Sequence, residues 1–82
     1  MVFTTSDLWL ASILVSFAVP MIGYHLSNDD RRMFFEFDDY ERCKAIELEW
    51  LNGQVMANVT LLKDAKTKLK GMVFSYHAKG EI

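Results

Sequence analysis

Hydrophobic residues are unevenly distributed, with one long uncharged stretch near the N-terminus and a periodic pattern later in the chain. From Leu8 to Asn28 the only acidic or basic residue is His25. A helix over the 19 residues from Leu8 to Leu26 would extend about 28 Å, close to the thickness of the hydrocarbon core of a bilayer. This stretch therefore predicts a transmembrane helix over residues 8–27, kinked near Pro20, after an N-terminal tail of residues 1–7.

Two other interpretations of the uncharged stretch are a cleaved signal peptide and a buried helix of a globular protein. A signal peptide needs a basic N-terminal region, whereas residues 1–7 contain Asp7 and no lysine or arginine. A core helix normally has a polar face, which this stretch lacks. Trp9 and Tyr24, near its two ends, fit the aromatic belts of a membrane-spanning helix. The single-span interpretation is preferred for these reasons.

Basic residues near the predicted span lie on its C-terminal side only. They are Arg31, Arg32, Arg42 and Lys44. Because positive charges stay on the side of synthesis, they predict that the C-terminal tail remains there. In a mitochondrial inner membrane, the compartment that we expect, that side is the matrix.

Small residues lie along one side of the predicted span. At 100° per residue, the serines, the proline and the glycine share an arc of about 80° on a helix. They are Ser12, Ser16, Pro20, Gly23 and Ser27. Small residues allow close approach of a second helix in lipid, so they predict a helix-docking face. The alternative is that these residues are merely tolerated in the span.

Residues 28–37 mix charged and aromatic side chains, as expected of an interfacial segment. Arg31 and Arg32 are candidates for contact with anionic lipid headgroups, and the phenylalanines that follow would lie at the acyl boundary. The alternative is a solvated turn whose phenylalanines pack on the rest of the tail.

Residues 38–70 have the periodicity of an amphipathic helix, starting at the natural caps Asp38 or Asp39. Apolar residues alternate at spacings of three and four, which predicts a seam that packs on a partner. The seam residues are Leu48, Leu51, Val55, Leu62 and Leu69. We expect one continuous helix, and a helical hairpin bent at Asn52-Gly53 is the alternative. Residues 71–82 would form a C-terminal tail.

Charge and candidate chemistry narrow the possible functions. Residues 28–52 carry eight acidic and four basic residues, whereas residues 53–82 carry two acidic and five basic ones. The formal net charge of -2 gives no general attraction to nucleic acid. Cys43, His25 and His77 do not form a metal-binding or catalytic motif. We therefore expect no enzyme activity, no cofactor or metal, no small-molecule substrate and no nucleic-acid partner.

The segment Val19-Pro20-Met21-Ile22-Gly23-Tyr24, followed by Asp30-Arg31-Arg32, resembles the small single-span accessory subunits of mitochondrial respiratory complex I. The resemblance covers about 20 residues and implies a supernumerary subunit that stabilises the membrane arm without binding a redox centre.

Taken together, the sequence predicts an all-α protein with a single transmembrane helix and an extramembrane amphipathic helix or hairpin. Its expected function is that of a non-catalytic accessory subunit of a large membrane complex of the respiratory chain, with the other subunits as partners and anionic lipid as a further contact. The alternatives are a single-span regulator of a transporter or membrane enzyme, and a soluble or peripheral helical adaptor.

Overall fold

The computed structural model describes residues 1–28 and 32–80, with side chains described as far as residue 75. Six elements follow one another along the chain: β1 (Phe3–Thr5), α1 (Leu8–Ser16), β2 (Met21–Leu26), β3 (Met33–Phe37), α2 (Tyr40–Leu51) and α3 (Val59–Gly80). The three strands form one sheet in the order β1-β3-β2, and both outer strands pair antiparallel with β3. The predicted all-α fold is therefore wrong, because β2 lies within the predicted span and β3 within the predicted interfacial segment.

The predicted transmembrane helix is divided between a short helix and a strand. Asp7 begins α1, where its side chain accepts a hydrogen bond from the Leu10 amide at 3.1 Å. The helix ends at Ser16, and the chain reverses through Ala18, whose φ is 60°. None of the helices within residues 1–28 and 32–80 is both long enough and apolar enough to cross a membrane. The predictions of a single-pass protein and of an inner-membrane location with a matrix tail are wrong for that reason.

Pro20 is the local reason why the helix does not continue. A proline cannot donate to the carbonyl four residues earlier, its ring crowds that carbonyl, and it biases the preceding residue towards extended backbone. Here the chain turns before Pro20 and enters β2 directly after it. The Pro20 carbonyl then accepts a hydrogen bond from the Asp38 amide at 2.9 Å, which continues the pairing of β2 with β3. The proline ends a helix and precedes a strand, where a kink within one helix had been expected.

The middle strand supplies the sheet's contribution to the core. Side chains of successive strand residues point to opposite faces, and Met33, Phe35 and Phe37 are buried on one face of β3. Phe3 of β1, opposite Phe37 in the register, is buried with them. On the other face His25 stacks on Phe34 with ring centroids 5.3 Å apart. The predicted interfacial segment is thus the centre of a sheet.

The helices cover the buried face of this sheet. The core cluster joins Leu10 and Leu14 of α1, Cys43 and Ile46 of α2, and Leu69 of α3 to the strand residues just named. Helices α1 and α3 pack most extensively on each other.

Side chains of α3 and α2 add polar contacts to α1. The Lys66 ammonium lies 3.7 Å from the ring centroid of Trp9, a cation–π contact between α3 and α1. The Arg42 side chain donates to the Phe17 carbonyl at 2.8 Å, and so satisfies a backbone group at the end of α1.

Two helices occupy the region in which one continuous helix was expected. Helix α2 begins at the cap Asp39 and ends at Leu51, and α3 begins at Val59. Gly53 has a φ of 69°, a conformation that glycine adopts without the strain of a Cβ atom. The Asn52-Gly53 turn signal therefore marks a true break, and α3 runs past residue 70 to Gly80.

Candidate functional site

A groove of about 760 Å³ opens where the start of α1, the start of β3 and the second half of α3 meet. It is lined by Ser6, Asp7, Leu8, Arg32, Met33, Phe35, Lys70, Val73 and Phe74. Its volume is within the range of about 300–1,000 Å³ that is typical of small-molecule sites. The three parts of the chain that line it are far apart in sequence, so the groove exists only because the sheet and the helices bring them together.

Apolar side chains form most of the groove. Met33 and Phe35 are buried and belong to the core face of β3, so the sheet holds them in place. Leu8 and Val73 are half-buried on the neighbouring helices. Phe74 is 77% exposed although it follows Val73 in the same helix wall. A large aromatic side chain is thus available to an incoming apolar molecule.

Three charged side chains also line the groove. The Asp7 carboxylate accepts the hydrogen bond that caps α1. Arg32 and Lys70 are exposed, and within the part of the chain that the structure describes neither has a carboxylate oxygen within 4.0 Å. The groove therefore combines apolar walls with two cationic groups that lack a described acidic partner.

A second surface consists of large apolar side chains exposed around the turn between α2 and α3. Leu51 is 69% exposed, Met56 89% and Val59 78%. Leu48 lies three residues before Leu51 on the same side of α2 and is also exposed. With Leu61, these residues are called the α2–α3 apolar surface below. Grouped exposed apolar side chains mark interaction sites more often than isolated ones do.

The predicted partner seam is divided between this surface and the protein's own core. Leu69 is completely buried, and Val55 and Leu62 are half-buried against the core cluster. Only Leu48 and Leu51 are exposed. The periodicity of residues 48–69 thus reflects two helices that contribute to one core cluster, and two of the five seam residues remain open to a partner.

The residues of the predicted helix-docking face are spread over different elements. Only Ser12 and Ser16 lie in α1, and their hydroxyls donate to the Leu8 and Ile13 carbonyls at 2.6 and 2.7 Å. Pro20 is in the turn, Gly23 is in β2 and Ser27 follows that strand. These positions do not share a helix face. Of the two predicted headgroup residues, Arg32 lines the groove, whereas Arg31 lies outside the described residues.

The remaining reactive side chains among the residues that the structure describes form no additional site. Cys43 is buried, and burial raises the pKa of its thiol, with the carboxylates of Asp39 and Asp38 acting in the same direction and Arg42 against it. His25 Nδ1 lies 3.5 Å from Glu36 on the open face of the sheet. Residues 1–28 and 32–75, whose side chains the structure describes, contain no group of three or more histidine, cysteine or acidic side chains that could hold a metal ion.

Sequence reasoning missed the groove, although part of its signal was visible. Lys70, Val73 and Phe74 have the spacing of neighbours on one helix face, which places a cation beside apolar bulk. The residues that line the groove opposite them, from β3 and the start of α1, come together only in the sheet-containing fold. The prediction of a membrane span left no reason to expect them there.

No family model matches the chain, and neither a curated protein nor a solved structure is significantly similar to it.

Proposed function

We propose that the protein is a non-catalytic interaction protein that binds another protein chain through the α2–α3 apolar surface. The observation that carries this proposal is the exposure of Leu48, Leu51, Met56, Val59 and Leu61 within a short part of the chain. Covering such side chains removes apolar area from water, which is the main favourable term in protein association.

The charges beside this surface favour a particular kind of partner. Residues 38–51 contain five acidic and two basic side chains, whereas residues 59–75 contain four lysines and one aspartate. The acidic side complements an amphipathic helix that has basic residues next to its apolar stripe. Helix α3 of this protein offers such a face, since exposed Lys68 lies two turns after exposed Leu61 on the same side of the helix.

A second copy of this chain is therefore the partner to which we commit. In a twofold arrangement the same patch of each copy is buried, so α2 of one copy meets α3 of the other twice. Apolar residues would lie at the centre of the contact and the opposite charges at its rim, as in typical interfaces.

Sedimentation equilibrium of the purified chain over a wide range of concentrations tests this proposal. We expect the apparent mass to rise from that of a monomer to that of a dimer, and the association to weaken with added salt because rim charges are screened. Because both copies carry both changes, the double variant Leu48→Ser/Leu51→Ser should weaken dimerisation by about 700-fold or more, if burial of each of the four leucines contributes about 1 kcal/mol or more.

Ile22→Ser is the matched control, because Ile22 is an exposed apolar residue of β2 outside the surface. It should leave the dimerisation constant unchanged. Circular dichroism should show that all variants remain folded. A monomer at every concentration would refute the proposal, and so would equal dimerisation of the double variant and the unmodified chain.

A further inference from the structure

We propose that the groove between α1, β3 and α3 binds a small amphiphile with an apolar body and an anionic head group. This binding site is separate from the α2–α3 apolar surface and does not rest on the proposed protein contact. No small-molecule ligand was expected from the sequence, so the site is a consequence of the fold.

The apolar side chains that line the groove indicate that the ligand has an apolar body. Met33 and Phe35 form a rigid inner side, because both belong to the buried face of the central strand. Val73 and Phe74 come from α3, and Phe74 exposes most of its ring. An alkyl or aryl body lying between these walls would lose contact with water on both sides, and each buried methylene would tighten binding by about fourfold.

The anionic half of the ligand is indicated by the charges. Arg32, just before β3, and Lys70, in α3, line the groove from different elements. Among the residues that the structure describes, Asp7 is the one acidic residue of the lining, and its carboxylate already accepts the hydrogen bond from the Leu10 amide. The lining therefore carries a net positive charge, and an anionic head group next to Arg32 and Lys70 would be attracted, whereas a cationic one would be repelled.

Isothermal titration calorimetry with decanoate, kept below its micelle-forming concentration, tests the proposal on the full chain. We expect saturable binding of one decanoate per chain, tighter than that of octanoate because the longer tail buries more methylenes. Decyltrimethylammonium has the same tail and the opposite charge, and we expect it to bind at least about tenfold more weakly.

Variants at the groove measure separately the contributions of its cationic and its apolar side chains to decanoate binding. Arg32→Gln and Lys70→Gln should each weaken decanoate binding by about two- to fivefold, the effect expected for an exposed ion pair. Lys68→Gln is the matched control, because Lys68 is an exposed lysine of α3 outside the lining. It should leave the affinity unchanged. Phe74→Ala should weaken the binding of decanoate and of octanoate alike, since it removes an apolar ring from the groove without changing its charge.

Amide chemical shifts in a titration with decanoate identify where it binds. We expect the largest changes at Leu8, Met33 and Val73, and small ones at Leu48 and Leu51. Chemical-shift changes confined to the α2–α3 apolar surface would overturn the proposal, because they would show that the alkyl chain of decanoate binds there and not in the groove. Equal affinity for decanoate and decyltrimethylammonium, or no saturable binding of decanoate by the folded chain, would also overturn it.

Discussion

Leu69→Ala removes a side chain at the point where α3 joins the rest of the molecule. Leu69 is 0% exposed and belongs to the same cluster as Leu10 and Leu14 of α1 and Phe35 and Phe37 of β3. The change deletes buried methyl and methylene groups and leaves a cavity that the neighbouring helix and strand can close only in part. Such Leu→Ala changes cost about 2–5 kcal/mol.

That cost is a large part of the stability of a chain of this size. Domains have about 0.05–0.15 kcal/mol of unfolding free energy per residue, so an 82-residue chain has about 4–12 kcal/mol. For domains of 60–100 residues a loss of 1 kcal/mol lowers Tm by about 4–8 °C. We therefore expect Leu69→Ala to lower Tm by at least about 10 °C.

Leu61→Ala is the matched control for this experiment. It is the same chemical change in the same helix, but Leu61 is 53% exposed. We expect it to cost less than about 1 kcal/mol, because less apolar area returns to water. Urea unfolding of the monomer, followed by far-ultraviolet circular dichroism, gives both values. Equal costs for the two variants would show that α3 does not pack on α1 and the sheet through Leu69, and would refute this reasoning.

Two further predictions concern the turn after α1 and the buried thiol. Ala18→Gly should raise the free energy of unfolding by about 0.5–1 kcal/mol, because the φ of 60° at Ala18 strains a residue with a Cβ atom, while Ala45→Gly in α2 should lower it by a similar amount. Urea unfolding of both variants measures these two changes in the free energy of unfolding. A lower free energy of unfolding for Ala18→Gly as well as for Ala45→Gly would contradict the turn geometry. The raised pKa of the Cys43 thiol means that the folded state holds this proton more tightly than the unfolded state does. The free energy of unfolding of the unmodified chain relative to Cys43→Ala should therefore fall as the pH rises through the ordinary thiol pKa of 9.0, and a pH-independent difference would contradict this.

The helix boundaries marked by polar caps were readable from the sequence. Asp39 caps α2, as its position before a periodic stretch suggested. Asp7 caps α1, directly before the uncharged stretch in which a helix was predicted. Asn52-Gly53 marks the break between α2 and α3. These signals depend on one or two residues and their own backbone, so tertiary packing does not obscure them.

The main error arose where a buried helix and a partly exposed strand follow each other without an intervening charge. The apolar helix α1 and the strand β2 together have the length and hydropathy of a membrane span. Hydropathy measures how apolar the side chains are and does not distinguish the lipid interior from a protein core. The distinguishing signal was local, because Val19-Pro20 disfavours helical backbone at one residue and removes a donor at the next. That signal was interpreted as a kink in one helix.

The strand β3 was missed because its alternation is incomplete. Met33, Phe35 and Phe37 have the period of two expected of a half-buried strand, but Phe34 places another aromatic residue on the opposite face. Phe34 stacks there on His25 of β2, a cross-strand contact that no sequence periodicity encodes. The groove could not be predicted without β3, because Met33 and Phe35 form its inner side.

Nuclear magnetic resonance of the backbone tests most directly the central claim, that residues 8–26 are a helix, a turn and a strand. We predict helical Cα shifts from Leu8 to Ser16, strand shifts from Met21 to Leu26, and cross-strand nuclear Overhauser effects that connect Tyr24 with Phe35. Helical shifts continuing without interruption from Leu8 to Leu26, with no contact between Tyr24 and Phe35, would contradict the fold and the groove that depends on it.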